Sequence, residues 1–207
     1  MRILLGMIIS YLIGAIPTAY IYGKLSKRID IRRHGSGNVG ATNVFRVLGK
    51  GAGATVLICD ILKGVLAVAV VPDFLRVTEV IHRVILALVV VSGHNWTIFL
   101  NFKGGKGIAT SLGALIGLTI KIAVIRPVLL GTVCVWLVCF LSTGYVSLSS
   151  IVASVLLPLM MAGTNQPIEI IRLGVIFCLF VVLRHRPNIK RLLSGQEPRV
   201  SLFRKKK

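Results

Sequence analysis

The sequence predicts an all-α fold, a polytopic integral membrane helix bundle of about seven transmembrane helices, on three observations. Hydrophobic residues fill 55% of its 207 positions, and the mean hydropathy of +0.87 is too high for a soluble domain of this size. The apolar residues form runs of the length a bilayer requires, roughly 20 residues, or fewer where flanking basic side chains snorkel. The basic residues gather in alternate connections between those runs. Residues 1–207 read as a single membrane-integral domain, with no low-complexity stretch, no internal repeat and no room for a soluble second domain.

Seven runs qualify: residues 3–23, 52–71, 80–99, 107–120, 127–143, 146–162 and 168–183. The first follows a lone Arg2 but is long and lacks a small-x-small cleavage site, so it reads as a retained helix and not a signal peptide. The second carries Asp60 and Lys63, three apart. A lone charge at mid-membrane costs about 2.5–3.5 kcal/mol, so the two are expected to pair near an interface or a functional cavity. The fourth and seventh runs are short, which leaves five or six crossings open.

Net charge is +19, and 18 of the 25 Lys and Arg fall in residues 24–50, the connection holding Lys103 and Lys106, and the tail from Arg184. Basic residues accumulate on the cytoplasmic face, next to anionic lipid, so the N-terminus is expected outside and the C-terminus inside. The same topology accounts for the charge, and no nucleic-acid partner is expected. Cys59, Cys134, Cys139 and Cys178 lie in apolar runs without metal-type spacing and read as buried filler; no metal or cofactor is expected.

Three polar segments, 35–49, 102–110 and 184–197, interrupt the apolar pattern, and charge places all three on one membrane face as candidates for a single phosphate-handling site. In the first, Gly35, Gly37 and Gly40 match GxGxxG, but the dinucleotide fingerprint needs a preceding strand, and here the neighbour is a membrane helix. The glycines still let backbone amides approach an anion. Ser36, Asn38, Thr42 and Asn43 add donors, and Arg46 adds a fork that grips phosphate bidentately.

The second segment, Phe102-Lys103-Gly104-Gly105-Lys106-Gly107-Ile108-Ala109-Thr110, opens into the fourth apolar run. It sets glycine amides and two ammonium groups at a helix N-terminus, where unpaired N–H groups and the helix dipole favour an anion. It is not a Walker A loop, because Gly107 replaces the hydroxyl residue after Lys106 and no glycine stands five positions before Gly105. Upstream, His94 at the end of the third run is a candidate donor to substrate or a partner of a neighbouring helix. Trp96 reads as an interfacial anchor.

Between the fifth and sixth runs lies an uncharged, hydroxyl-rich stretch in which Ser147 and Ser150 share a helical face. The third segment, RHRPNIKRLLSGQE, has bases that anchor a helix end, but anchoring does not account for Asn188 and Glu197. The terminal Arg204-Lys205-Lys206-Lys207 reads as a tail on the lipid surface.

The opening helix, SGNVGATNVFRVLG, Asp60-Ile61-Leu62-Lys63-Gly64, GHNW with FKGGKGIAT, and RHRPNIKRLLSGQE occur in this order over nearly the whole chain. In these the sequence resembles the bacterial membrane-integral glycerol-3-phosphate acyltransferases that use acyl phosphate as donor. Thr97 stands in place of a proline, Ile108 in place of a valine and Pro187 where an acidic residue is common.

The resemblance implies transfer of a fatty acyl group from acyl phosphate to the 1-hydroxyl of glycerol 3-phosphate, giving lysophosphatidate and inorganic phosphate, in the bacterial inner membrane. A companion enzyme supplies the acyl phosphate. Ser36, Asn38 and Arg46 are then expected at one phosphate and Lys103, Gly104, Gly105 and Lys106 at the other, in an order the motifs leave open. Ser147 and His185 are candidates to orient the glycerol hydroxyls or the acyl carbonyl, with Asn188 beside them as binding residue or loop brace. The HxxxxD dyad of soluble glycerolipid acyltransferases is absent: the residues five past His34, His82, His94 and His185 are Val39, Ala87, Phe99 and Lys190. Acyl phosphate is already activated, so positioning and charge neutralisation are expected to suffice, with the leaving phosphate accepting the hydroxyl proton. A transporter of an anionic phospho-metabolite is the alternative, but its polar groups would lie deep in several spans.

Overall fold

The computed structural model describes residues 1–200, so the basic tail from Arg204 lies outside the described residues. Among the described residues every regular element is helical and no strand occurs. Five helices are long and apolar enough to cross a membrane, and Ile108–Lys121 is a shorter apolar helix. With Ile168–Arg184, each of the seven predicted runs is realised as a helix or helix pair. The chain divides into two compact units, Met1–Ala123 and the residues from Val124 onward.

The first unit begins with α1 (Arg2–Ala15) and α2 (Thr18–Lys27). The apolar run 3–23 predicts one helix, and the structure breaks it at Ile16–Pro17. Pro17 has no N–H for the ladder and forces Ile16 out of the helical region, to φ −53° and ψ 114°. A short helix, α3 (Ala41–Leu48), follows the first glycine-rich segment and buries Asn43 and Val44. Next, α4 (Lys50–Val65) runs through one wide turn, Leu66–Val70, into α5 (Val71–Phe74). Then come α6 (Val80–Asn95) and α7 (Ile108–Lys121).

Two helix pairs hold this unit, α1 on α6 and α4 on α7. Both use glycine on each side: a Cβ on Gly14 would run into the Val90 carbonyl and one on Gly93 into that of Tyr11, while Gly64 and Gly113 stand in the same relation to Thr110 and Ile61. In lipid there is no hydrophobic drive between helices, so close backbone approach through small residues supplies the packing. A buried cluster of Ala19, Ile31, Val39, Val44, Val56 and Leu100 ties the loops to α2, α3 and α4.

At the far end of the unit Asp73 pairs with both Arg83 and Lys121. Arg83 also donates to the Val68 carbonyl at 2.7 Å, whose helical partner four residues on is Pro72, which lacks an N–H. Since α7 starts at Ile108 and ends at this cluster, both glycine-rich segments of the unit lie at the opposite end.

In the second unit α9 (Val146–Gly163) packs on α8 (Arg126–Thr143) and α10 (Ile168–Arg184), and α11 (Arg186–Leu193) closes it. Its core is built from Ala153, Leu157, Met161, Ile170, Leu173 and Phe177. The chain after α11 returns to the α8–α9 turn, where Val200 N–H donates to the Gly144 carbonyl at 2.9 Å and Arg199 lies 4.9 Å over the Tyr145 ring. The cysteines correct an expectation: none is buried, and Cys134 is exposed. On a helix that faces lipid an apolar side chain loses nothing by exposure.

Candidate active site

The first glycine-rich segment is shaped by Asn43, which is buried. Its amide nitrogen donates to the carbonyls of Ile31, His34 and Asn38 at 3.3, 3.0 and 3.0 Å, and its Oδ1 accepts from Ser36 N–H at 2.8 Å. The side chain expected to donate to ligand therefore braces the loop backbone. Gly35 (φ +60°) and Gly37 (φ +71°) make the turns around it, and a Cβ on Gly35 would collide with Asn43 Oδ1. The brace leaves the Ser36 and Arg46 side chains exposed, one on each side of Gly40 and Thr42. The Gly40 carbonyl accepts the first amides of α3, and Asn38 Oδ1 is buried without a partner. Asp30, before this segment, pairs with Arg32, whose side-chain hydrogen bond holds the carboxyl down at about 2.

The second segment hangs on the end of α6. Gly104 N–H donates to the Asn95 carbonyl at 3.2 Å and Gly105 N–H to that of His94 at 3.0 Å. Gly107, at φ +80°, turns the chain into α7 as its N-cap. Lys103 is exposed and Lys106 half-buried at this helix start, while Thr110 is buried with an unpartnered hydroxyl. The Asn95 amide, fully buried beside Gly107, has neither of its polar atoms partnered.

The two segments meet in one small cavity of about 10 Å³, lined by Pro17, Thr18, Val39, Lys63, His94 and Gly105 among others. Val39 comes from the first segment and Gly105 from the second. The volume is that of about one water, so the void is a partly open seam between the two segments.

The cavity wall holds a polar network that extends the expected Asp60–Lys63 pair to Thr18 and His94. Lys63 contacts Asp60 Oδ1 at 2.8 Å, the Ile16 carbonyl at 3.1 Å and His94 Nδ1 at 3.0 Å. An ammonium has three donors, and three acceptors meet them. Thr18 Oγ1 donates to Asp60 Oδ1 at 2.6 Å, and Thr97 Oγ1 donates to the Ala15 carbonyl at 2.5 Å. The helix break explains the arrangement. Carbonyls at the C-terminal end of α1 attract the ammonium, and the N-terminal end of α2 faces the carboxylate, each charge at the dipole end that favours it. The signal in the sequence was Ile16-Pro17 inside an apolar run, combined with an intramembrane Asp-x-x-Lys.

The third segment belongs to the second unit. Glu197 Oε1 accepts from Ser147 Oγ and from Asn188 Nδ2, both at 2.7 Å, and Oε2 accepts from Arg191 Nε at 2.8 Å. Burial alone would raise the carboxyl's pKa, but the hydrogen bonds from Ser147, Asn188 and Arg191 outweigh it and hold it below the ordinary glutamate value. His185, buried, donates from Nδ1 to the Val181 carbonyl at 2.8 Å. A carbonyl can only accept, so in the neutral ring the lone pair is on Nε2.

Comparison with known proteins fits this architecture. Residues 4–195 match the glycerol-3-phosphate acyltransferase family. Glycerol-3-phosphate acyltransferases from Thermoanaerobacter sp. and Halalkalibacterium halodurans are 44% and 43% identical; the alignments cover 97% and 91% of this chain, and 96% and 90% of theirs. The crystal structure of PlsY (YgiH), an integral membrane glycerol 3-phosphate acyltransferase, in its glycerol 3-phosphate form superposes with a TM-score of 0.88 at 36% identity, covering 99% of this chain and 100% of that one. Its lysophosphatidic acid form gives 0.85 at 36% identity, covering 97% and 96%. A helical membrane chain whose glycine-rich, cation-bearing turns share a cavity, matched along almost its full length, belongs to the glycerol-3-phosphate acyltransferase family.

Proposed function

We propose that this chain, acting as one membrane-integral domain, transfers a fatty acyl group from acyl phosphate to the 1-hydroxyl of glycerol 3-phosphate. The observation that carries the reading is the meeting of two glycine-rich, cation-bearing turns at one cavity, through Val39 and Gly105. Both substrates carry a phosphate, and each turn carries a cation for one of them, Arg46 in the first and Lys103 with Lys106 in the second. The glycerol 3-phosphate and lysophosphatidic acid forms of the similar structures support the acceptor and the product.

In the proposed step the hydroxyl oxygen attacks the carbonyl carbon of the mixed anhydride, and the carbon–oxygen bond to phosphate breaks. The departing phosphate takes the hydroxyl proton and leaves as inorganic phosphate. Ser36, Arg46 and Lys106 neutralise and place the phosphates, with Gly35, Gly37, Asn38, Gly40, Thr42, Lys103, Gly104, Gly105, Gly107 and Thr110 forming the two cradles. His94 supplies a donor, and Ser147, His185 and Asn188 orient the acceptor hydroxyls or the carbonyl. Two features support a mechanism without a histidine–carboxylate base. No HxxxxD occurs in the chain, and Asp60 Oδ1 stands 3.8 Å from His94 Nδ1, too far for a hydrogen bond, while Lys63 bonds to both. The charge distribution supports a bacterial inner-membrane location with the turns on the cytoplasmic side, where a companion enzyme delivers the acyl phosphate.

The test is turnover by detergent-purified protein given palmitoyl phosphate and glycerol 3-phosphate. Release of phosphate and lysophosphatidate that needs both substrates, and no product from palmitoyl-CoA, is the expected result. Equal use of the thioester would overturn the donor assignment.

A further inference from the structure

We infer that Asp60 and Lys63 are positioning residues for the reaction, acting through His94 by fixing which of its ring nitrogens carries the proton. The inference rests on the acyltransferase reading above.

Lys63 is buried and has an acceptor for each of its three N–H groups: Asp60 Oδ1 at 2.8 Å, the Ile16 carbonyl at 3.1 Å and His94 Nδ1 at 3.0 Å. An ammonium only donates, so Nδ1 is the acceptor and the neutral ring carries its proton on Nε2. That nitrogen lies against Gly105, since a Cβ there would collide with it. His94 and Gly105 both line the cavity at which the two glycine-rich turns meet. The N–H therefore sits at the turn that carries Lys103 and Lys106, where an anionic oxygen needs a donor. The other tautomer would turn a lone pair toward that oxygen and repel it.

Each remaining contact serves this orientation. Asp60 balances the ammonium and is itself held by Thr18 Oγ1 at 2.6 Å. The break at Pro17 supplies the Ile16 carbonyl that anchors the third N–H. His94 is held from its backbone too, because its carbonyl accepts from Gly105 N–H at 3.0 Å. Lys63 thus fixes the ring and the Gly105 turn fixes the main chain, so donor and cradle move as one piece.

A charge pair kept only for folding behaves differently from a positioning pair. Replacing both members by uncharged residues of similar size leaves no buried charge unmatched, so stability survives. The double variant Asp60→Asn/Lys63→Met is therefore expected to keep its melting temperature within about 4 °C of wild type. Its kcat is expected to fall about 100-fold, with KM for both substrates nearly unchanged, because a donor is misplaced while the binding turns persist. His94→Gln places an amide N–H near the position of Nε2 and needs no partner at Nδ1, so Asp60→Asn/Lys63→Met should cause little further loss in that background.

Wild-type kcat in the double variant, or an equal loss from Asp60→Asn/Lys63→Met with and without His94→Gln, would overturn the inference. A direct reading needs no variant to be active: 15N-imidazole spectra of histidine-labelled protein, with His94 assigned by the signal that His94→Gln removes. A proton on Nε2 is expected, and a proton on Nδ1 refutes the inference. If wild type fails to turn over acyl phosphate, the donor assignment falls, while the spectrum still decides the tautomer.

Discussion

Ser147 Oγ donates to Glu197 Oε1 at 2.7 Å, joining residues 50 positions apart. The bond ties the start of α9 to the chain beyond α11, and the same carboxylate oxygen accepts from Asn188 at 2.7 Å. One buried acid thus holds two side chains proposed to meet substrate. Glu197→Ala takes the acceptor from both donors and leaves the buried Ser147 hydroxyl unmatched, at about 1–3 kcal/mol. The expected outcome is a lower melting temperature in detergent together with lost turnover, and an unchanged melting temperature would contradict the bracing role.

The same carboxyl gives a pH dependence with a definite sign. Its pKa in the folded chain lies below the ordinary value of 4.5. Its contribution to stability is therefore complete above pH 4.5 and is lost as pH falls through the folded-state value. Wild type should lose thermal stability on acidification below 4.5 more steeply than Glu197→Gln, as followed by melting curves across pH.

Asn43 and Ser36 separate loop architecture from ligand contact. Asn43→Asp turns a carboxylate toward the carbonyls of Ile31, His34 and Asn38 and should lower both melting temperature and activity. Ser36 gives Asn43 only its backbone N–H, so Ser36→Ala should leave the melting temperature unchanged and reduce turnover. A stability loss from Ser36→Ala would move its hydroxyl into the bracing role instead.

Gly113 lets α7 approach the Ile61 carbonyl of α4. Gly113→Val must push the helices apart, at about 1–3 kcal/mol for overpacking. Gly163, whose Cβ would meet nothing within 4 Å, is the control. Thermal melting should separate the two variants clearly, and equal melting temperatures would contradict the close α4–α7 contact.

The helices were legible in the sequence because apolar run length is nearly sufficient to define a span, and the runs correspond to the helices observed. The break at Pro17 was missed because the run stays apolar across it, although Pro punctuates any helix. Glycine spacing marked the two turns that line the cavity. It did not reveal that Asn43 holds the first turn from inside, because a brace and a ligand donor are the same residue type until the acceptors are placed. The Thr18–Asp60–Lys63–His94 network was half visible: an intramembrane Asp and Lys demanded a partner, but their link to His94 crosses 31 positions and two helices. Exposure of the cysteines went the other way, because apolar side chains face lipid as readily as a core.

Shared sidedness of the glycine-rich turns is the central claim, and cysteine labelling in sealed inner-membrane vesicles measures it most directly. Single cysteines at Lys50 and Lys103, and at Arg76 near the opposite end, would be introduced into a protein freed of its four native thiols. A membrane-impermeant maleimide should label Lys50→Cys and Lys103→Cys from the cytoplasmic face and Arg76→Cys only from the other. Labelling of Lys50→Cys and Lys103→Cys from opposite faces would contradict a common phosphate-handling site.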